Sequence, residues 1–336
     1  MTVRVGVLGL GMMGAMHIQA YRGIPGAQVV AITDIDPNRL HGELGAWSNI
    51  ENRNVALELD DVRRYADVYD VLQQPDIDLV DLCLPTDLHV EYAIAALKAG
   101  KHVLIEKPVA RNTTEAAALM TAEQAASTNV FIGHCMRFWP GWCCLRDWLQ
   151  AGRFGRLHSA FFKRVAARPG GAFYSDGKRT GGALLDLHIH DTDFVQYCFG
   201  PPKAVTSYGV ELDNGTIDHV VTHYHYDDSA MILAEGAWFP SPAYKFSMSY
   251  RVCCQEATLV YTSELPNVVT VYTTNGEKFE ERLTPEMGYD RELAYFIQCI
   301  EKGIRPQTVT LETAVEALRI VEAEHQSIET KSTVTL

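Results

Sequence analysis

Long apolar runs are missing from this sequence of 336 residues, and none approaches the ~20 residues that a membrane-spanning helix requires. A secretory signal is not expected either, because Met1 and Thr2 lead directly into the alternating segment Val3-Arg4-Val5-Gly6-Val7. Repeats and low-complexity segments do not stand out. These absences predict a cytoplasmic protein without a membrane partner.

Basic charge is also scarce, since 29 Lys and Arg residues face 42 Asp and Glu residues for a formal net charge of −13. Such an acidic chain repels phosphate, which argues against nucleic acid or an anionic membrane as a partner. The eight cysteines include no CxxC pair, and the adjacent Cys143 and Cys144 lack the usual geometry of a disulfide. We expect reduced, mostly buried thiols.

The first third of the chain alternates predicted strands with predicted helices, which is typical of a parallel sheet. The pattern predicts strands at residues 3–8, 28–33, 79–84 and 102–105, a short strand near Arg64, and helices at 88–99 and 113–126. A strand at 130–133 leads out of this region. We place a first domain at residues 1–125, and residues 41–63 are an irregular polar stretch without an assigned role.

The rest of the chain, residues 126–336, is predicted to form a substrate-binding α/β domain. Long β-rich segments are separated by tight turn signals such as Asp227-Asp228-Ser229, which indicates a mostly antiparallel sheet. These segments are residues 157–165, 204–210, 219–226, 230–238, 246–252 and 268–273. Two helices, near 291–301 and 312–324, close the domain.

A glycine-rich turn follows the first strand and opens a helix. It reads Gly9-Leu10-Gly11-Met12-Met13-Gly14, and its glycines would let backbone N–H groups approach a pyrophosphate. Asp34 ends the second strand about 20 residues later, where an acid binds the adenosine ribose in dinucleotide sites. A carboxylate there would repel a 2′-phosphate. The sequence therefore predicts NAD rather than NADP as the cofactor.

Three further segments resemble the Gfo/Idh/MocA oxidoreductase family, and the similarity extends along nearly the whole chain. They are Gly9–His17 (GLGMMGAMH), Pro85–Pro108 (PTDLHVEYAIAALKAGKHVLIEKP) and Gly181–Asp193 (GGALLDLHIHDTD). The middle segment, which ends in Glu106-Lys107-Pro108, is the most specific.

The resemblance implies a Rossmann domain followed by a domain with a large, mostly antiparallel sheet. It implies Lys107, Asp186 and His190 as catalytic residues, a Lys107–Pro108 bond that is often cis in the family, and a homo-oligomer such as a dimer or tetramer. It also completes the set of expected cofactor-binding residues: Gly9, Gly11, Met12, Met13, Gly14, Asp34, Pro85, Thr86, His89, Glu106 and Lys107.

Oxidation of an alcohol by NAD removes a hydride from carbon and a proton from oxygen, so the protein must supply a base and stabilise an oxyanion. We assign His190 as the general base or acid, Lys107 as the oxyanion stabiliser and Asp186 as the residue that orients substrate and imidazole. Residues 183–199 are predicted to form a helix, and four-residue spacing then places Asp186 and His190 on one face.

Other polar and aromatic residues are weaker candidates for contacts with substrate hydroxyls. Packing and ion pairing explain them equally well from sequence alone. They are His134, Arg137, Arg164, Arg168, Tyr174 and Asp193.

The predicted function is the NAD-dependent interconversion of a secondary hydroxyl and a ketone on a sugar, sugar derivative or cyclitol. Three alternatives stay open. Transient oxidation by NAD can serve glycoside cleavage, and the same fold can be a non-catalytic NAD-binding regulator. On a strand, Asp186-Leu187-His188-Ile189-His190 would instead point three ligands to one face and, with His223 and His225, predict a metal-dependent hydrolase. Helical periodicity argues against this last reading, so we expect no metal.

Overall fold

The computed structural model describes residues 2–43, 57, 59–212, 215–227 and 229–336. The chain divides into two compact units. The first contains residues Met1–His134 and Tyr289–Val315, and the second contains Cys135–Gly288 and Glu316–Leu336.

Strands of the first unit are β1 (Val3–Leu8), β2 (Ala27–Thr33), β3 (Arg63–Tyr65), β4 (Leu79–Leu82), β5 (His102–Glu106) and β6 (Val130–Gly133). Strands of the second unit are β7 (Leu157–Ala167), β8 (Ala204–Glu211), β9 (Ile217–His225), β10 (Met231–Phe239), β11 (Ser247–Cys254), β12 (Ala257–Thr262), β13 (Val268–Thr273), β14 (Lys278–Arg282) and β15 (Val334–Thr335).

The α-helices are, in chain order, α1 (Met12–Arg22), α2 (Pro37–Leu40), α3 (Val68–Leu72), α4 (His89–Lys98), α5 (Thr113–Ala125), α6 (Pro140–Gln150), α7 (Ala172–Ser175), α8 (Gly177–Thr180), α9 (Ile189–Phe199), α10 (Gly288–Lys302) and α11 (Leu311–Thr330). Short 3-10 turns lie at Thr86–Leu88 and Cys135–Arg137, and a π-helical turn lies at Leu184–His188. No helix of the described ranges is long and apolar enough to cross a membrane.

The first sheet has the strand order β3-β2-β1-β4-β5-β6, and all of its pairs are parallel. Its central strands are buried on both faces, since the successive residues Val7 and Leu8 of β1, and Leu104 and Ile105 of β5, have no exposed surface. Continuous apolar strands of this kind require helices on both sides of the sheet. The strand order reverses at β1, so the crevice beyond the carboxyl ends of β1 and β4 is where such a sheet binds ligands. The predicted parallel sheet is confirmed.

The second sheet has nine strands in the order β14-β13-β12-β11-β7-β10-β9-β8-β15. Among the strand pairs of the described residues, β7 and β10 are parallel and the others are antiparallel. Burial alternates strictly along β9 and β12, which shows one buried and one open face. The predicted large, mostly antiparallel sheet is therefore confirmed.

An aromatic cluster forms the core beneath the buried face of this sheet. Trp142 of α6 packs edge-on against Tyr250 of β11 and Tyr261 of β12, with ring centroids 5.4 and 4.8 Å apart. Gly141 allows this approach, since a Cβ at that position would lie 2.7 Å from the Tyr261 ring. Phe194 of α9 packs on Phe162 of β7 at 5.8 Å. The cluster thus fixes α9 against the middle of the sheet.

The course of the chain near its end differs from the sequence-based division at residue 125. Strand β6 pairs with β5, so the first sheet extends to Gly133. Phe296 of α10 packs on Phe131 of β6 with centroids 4.7 Å apart, and the Asn129 side-chain amide donates to the Ile304 carbonyl at 2.8 Å. Residues Tyr289–Val315 accordingly belong to the first unit, although the sequence placed the helix near 291–301 in the second domain. Most of α11, from Glu316 onward, belongs to the second unit. The division into domains at residues 1–125 and 126–336 stays a prediction.

Candidate active site

The glycine turn between β1 and α1 has a backbone conformation and close contacts that residues with a side chain could not adopt. Gly9 has a φ of +92°, and a Cβ on Gly14 would lie 1.9 Å from the Gly9 carbonyl oxygen. Gly11 is different, because a Cβ there would meet no atom within 4 Å. Gly11 is also the N-cap of α1 and caps it without a side chain. The turn therefore leaves open space at a helix N-terminus, which is the arrangement that accepts a pyrophosphate.

Asp34 is attached to the glycine turn. Its Oδ2 accepts the Leu10 N–H at 2.7 Å and its Oδ1 accepts the Asp36 N–H at 2.8 Å. The carboxylate is 8% exposed, and Arg39 Nη1 lies 3.7 Å from Oδ2. Each oxygen uses one lone pair inside the protein and has another available for a ribose hydroxyl. Together with the open glycine turn, this carboxylate fits NAD.

Pro85, Thr86 and His89 form the turn that follows β4. His89 is 1% exposed, and its two ring nitrogens each lie 2.8 Å from a backbone carbonyl, that of Leu84 and that of Pro108. Burial lowers the pKa of His89 despite these two carbonyls. The side chain thus ties this turn to the segment after Lys107, and its ring nitrogens are used inside the protein. Contact of these three residues with the cofactor stays a prediction.

Glu106, Lys107 and Pro108 lie at the carboxyl end of β5. The Lys107–Pro108 peptide bond is cis, as the family resemblance implies. The Lys107 backbone N–H donates to Glu106 Oε2 at 3.2 Å, and the Lys107 side chain is half-buried. Glu106 itself is 5% exposed. The structure therefore places Lys107 at the edge of the sheet where ligands bind, with its backbone held by the preceding carboxylate.

Asp186 and His190 belong to the second unit, on a helix that runs from Leu184 to Phe199. The predicted helix is confirmed, but its first five residues form a π-helical turn, which the sequence did not predict. Asp186 is half-buried and His190 is 9% exposed. Wide π turns of this kind are rare and frequently occur at functional sites. The strand that a metal-dependent hydrolase would need is absent from residues 184–199, so that alternative is wrong in its structural premise.

His188, between these two residues, enters a buried hydrogen-bond network. Its Nε2 lies 3.3 Å from the Tyr224 hydroxyl and 3.7 Å from Glu324 Oε1. Thr192 joins the same network, with its hydroxyl 2.9 Å from Tyr224 and 3.0 Å from Glu324. The network links the π turn, α9, β9 and α11, so it fixes the turn that carries Asp186.

Three weaker substrate candidates are held in two buried ion pairs inside the second unit. Arg137 donates to both oxygens of Asp193, at 2.8 and 2.6 Å, and both side chains are at most 2% exposed. Arg164 pairs with Asp191 at 2.8 Å and is 3% exposed. Buried charges require such partners. These contacts explain Arg137, Asp193 and Arg164 as structural residues, and a role for them in substrate binding stays a prediction.

The remaining candidates have mixed environments. Arg168 pairs with the fully buried Asp218. Tyr174 is half-buried and packs edge-on against Trp238, with centroids 5.8 Å apart. His134, at the end of β6 in the first unit, is 1% exposed. Tyr174 and Arg168 keep exposed surface, which a direct contact with substrate requires.

A cluster of titratable residues under the glycine turn joins Glu106 to three residues that were not assigned a role from the sequence, His17, Asp81 and Cys83. His17 of α1 lies 2.8 Å from Asp81 of β4 and 3.1 Å from Glu106, and the Cys83 thiol lies 3.4 Å from the same imidazole. His17 and Asp81 have no exposed surface. The signal was present, because Asp81 interrupts the apolar strand LVDLCL and a buried acid needs a partner.

Two models of one protein family match most of this chain. The model described as "Oxidoreductase family, NAD-binding Rossmann fold" matches residues 3–134, and the model described as "GFO/IDH/MocA C-terminal domain" matches residues 143–260.

Relatives of similar length support the same family. The chain is 28% identical to scyllo-inositol 2-dehydrogenase (NAD(+)) of Bacillus subtilis, over 94% of this chain and 93% of the relative. It is 26% identical to myo-inositol 2-dehydrogenase of Thermotoga maritima, over 99% and 98% of the two chains.

Solved structures show the same fold. A levoglucosan dehydrogenase in complex with NADH and levoglucosan superposes with a TM-score of 0.85 at 20% identity, covering 100% of this chain and 99% of that chain. Myo-inositol 2-dehydrogenase from Lactobacillus plantarum superposes with a TM-score of 0.82 at 20% identity, covering 100% of both chains. With the NAD-type glycine turn, the EKP segment and the two sheets described above, these matches show that the chain is an NAD-dependent oxidoreductase of the Gfo/Idh/MocA family.

Proposed function

We propose that this protein oxidises a secondary hydroxyl of an inositol or a closely related cyclitol to the ketone, with NAD as the acceptor. The full-length match to two inositol 2-dehydrogenases carries the choice of substrate class. The glycine turn, Asp34 and the residues Lys107, Asp186 and His190 supply the groups that this chemistry needs. NAD, when bound, accepts the hydride from the carbinol carbon.

The proton leaves the substrate hydroxyl for His190, which serves as the base because imidazole titrates near neutral pH. The Lys107 ammonium stabilises the negative charge that develops on the same oxygen. Asp186 accepts a hydrogen bond from a neighbouring substrate hydroxyl or from the imidazole. Ile35, which follows Asp34 and is 93% exposed, is an apolar side chain suited to cover the adenine ring.

The test of the reaction is an NAD-reduction screen with purified protein over myo- and scyllo-inositol, hexoses, pentoses, sugar acids and anhydrosugars. We expect the highest kcat/KM on an inositol, and a faster reaction with NAD than with NADP. The absence of turnover on every inositol would overturn the substrate class. Release of free sugar from a glycoside without net NADH would instead indicate the glycoside-cleaving alternative.

The test of the residues uses Lys107→Ala and His190→Ala. Each should lower kcat by a factor of about 100 or more, since general acid–base catalysis alone contributes 10²–10⁴-fold, while the Kd of NAD stays within a few-fold. Lys98→Ala is the matched control, because Lys98 is exposed in the last turn of α4. Near-normal kcat in either active-site variant would contradict the assigned roles.

We also propose that the protein is a cytoplasmic homo-oligomer. None of the eight cysteines, all of which lie in the described ranges, forms a disulfide, which suits a reducing compartment. The open face of the nine-stranded sheet exposes large apolar side chains at Tyr208, Val210, Met231 and Tyr272. Exposed apolar side chains on one sheet face are typical of subunit contacts. Light scattering after size exclusion tests this: a dimer or tetramer is expected, and Tyr208→Lys should shift the protein toward monomer.

A further inference from the structure

His17 lies between two carboxylates that come from different strands. It sits on α1 without exposed surface, directly behind the glycine turn. Its Nδ1 is 2.8 Å from Asp81 Oδ2 at the end of β4, and its Nε2 is 3.1 Å from Glu106 Oε1 at the end of β5. The Asp81 contact is a hydrogen bond, whereas the Glu106 contact is a close charge pair without hydrogen-bond geometry. One side chain thus approaches the carboxylates of both strands.

The protonation state of His17 follows from these neighbours. A proton on Nδ1 serves the hydrogen bond to Asp81, and a second proton on Nε2 would give the ring a positive charge opposite the Glu106 carboxylate, 3.1 Å away. Burial alone would lower the pKa of His17, but the negative charge of Asp81 and the hydrogen bonds with Asp81 and Cys83 raise it well above its usual value. The Tyr21 hydroxyl also donates to Asp81 Oδ2, at 3.0 Å, which keeps that oxygen an acceptor.

Glu106 connects this imidazole to the backbone of Lys107. Its Oε1 faces His17, and its Oε2 accepts the Lys107 N–H at 3.2 Å. The carboxylate occupies space that only a glycine leaves free, since a Cβ on Gly133 would lie 2.8 Å from Oε1. The position of the carboxylate is thus set on one side by His17 and on the other by Gly133.

We propose that His17 is a positioning residue for Lys107: its imidazolium holds the Glu106 carboxylate, and that carboxylate fixes the backbone from which the Lys107 side chain extends. The proposal rests on the proposed function only for the role of Lys107 in turnover. The buried contacts of His17 stand independently of any substrate.

A metal ion is the competing explanation for this cluster. His17, Asp81 and Cys83 offer three ligand atoms within 4.8 Å of one another. A metal would require the thiolate and a neutral imidazole. Burial instead raises the pKa of the Cys83 thiol, and Cys83 Sγ donates to Asp81 Oδ1 at 3.4 Å. Hydrogen bonds and charge pairing therefore account for the three residues without an ion.

Proton NMR of nitrogen-15 histidine-labelled protein tests the first step without any substrate. We expect one histidine with both ring nitrogens protonated at pH 8, where ordinary histidines are neutral. Its signals should disappear in His17→Gln or, should that variant not fold, change shift in Glu106→Gln. A neutral His17 at pH 8 or a stoichiometric metal in the purified protein would overturn the proposal. The titratable or aromatic groups that face this imidazole are Asp81, Cys83, Glu106, Tyr21 and Tyr289.

Kinetics test the second step. His17→Gln should lower kcat about tenfold or more, a loss of about 1.4 kcal/mol or more, while the Kd of NAD changes less than about threefold. The double variant with Glu106→Gln should lose little beyond the single variants, because both act through the same carboxylate. His102→Gln, at the opposite end of β5, is the matched control and should keep its kcat.

Unchanged kcat in His17→Gln, or losses that add fully in the double variant, would overturn the role in positioning. If the wild-type protein turns over no inositol, the proposed function fails while the NMR result still decides the state of His17. Equal losses of kcat and thermal stability in all variants, the His102 control included, would show a general packing effect and also overturn the proposal.

Discussion

Replacing Asp34 by Asn separates the structural and the functional use of this carboxylate. The side chain accepts the Leu10 N–H at 2.7 Å and the Asp36 N–H at 2.8 Å. An amide keeps one acceptor oxygen and turns an NH₂ group toward the other N–H donor. One hydrogen bond to a charged acceptor is lost, which lowers the free energy of unfolding by about 1.5–3 kcal/mol.

The same substitution changes the choice of cofactor. Loss of the charged acceptor for the ribose hydroxyls weakens NAD by about tenfold, which corresponds to about 1.4 kcal/mol. A carboxylate about 5 Å from a 2′-phosphate repels it by about 3 kcal/mol at an effective dielectric constant of 20. Since solvent screens part of this, we expect NADP to gain about tenfold. The ratio of the two affinities should therefore shift by about 100-fold.

Isothermal titration of both cofactors, with urea unfolding of the same samples, measures these effects. Asp36→Asn is the matched control, because it removes the same charge two residues away at the N-cap of α2, where Asn caps as well as Asp. An unchanged affinity ratio in Asp34→Asn, or an equal shift in the control, would refute the assignment of Asp34 to the ribose.

The glycine turn and the pH dependence of stability at acidic pH provide two further predictions. Gly14→Ala should lower Tm and abolish NAD binding, because its Cβ would meet the Gly9 carbonyl at 1.9 Å. Gly11→Ala should leave Tm nearly unchanged and weaken only NAD binding. Equal Tm values of the two variants in calorimetry would contradict this. Hydrogen bonds from Arg4 lower the pKa of Asp78 even though burial raises it. Wild type should therefore be more stable than Arg4→Gln above about pH 4, the usual pKa range of Asp. This difference in stability should disappear as pH falls through the lower pKa of Asp78 in the folded protein. A difference in urea midpoints that does not depend on pH would contradict the prediction.

Short-range sequence patterns predicted those helices, strands and turns whose structure depends on neighbouring residues. The glycine turn, β1, α4 and the helix at residues 184–199 follow from apolar periodicity and from turn residues, and the structure confirms them. The π turn was not predictable, because periodicity over five residues does not separate it from an α turn. Strand β12 was missed although it alternates, since only two residues separate it from β11.

Contacts between distant residues account for the other differences. Arg164 was a candidate for contact with substrate, but it is buried in an ion pair with Asp191, which lies 27 positions later. Likewise, the packing of Phe296 on Phe131 returns α10 to the first sheet, and no local pattern encodes that contact. The cluster around His17 combines both cases: the acid in β4 and the histidine that ends the Gly9–His17 segment were visible in the sequence, while the contact between them was not.

The position of β7 also governs how the second sheet can form during synthesis. Both neighbours of β7, β10 on one edge and β11 on the other, are translated later, and the parallel partner begins only at Met231. A nascent chain that ends before β11 therefore exposes an unpaired apolar edge, which is a template for aggregation. Refolding of this unit should be slow because its central pairings are distant in sequence. Fragments that end between residues 170 and 230 should require chaperones to stay in solution.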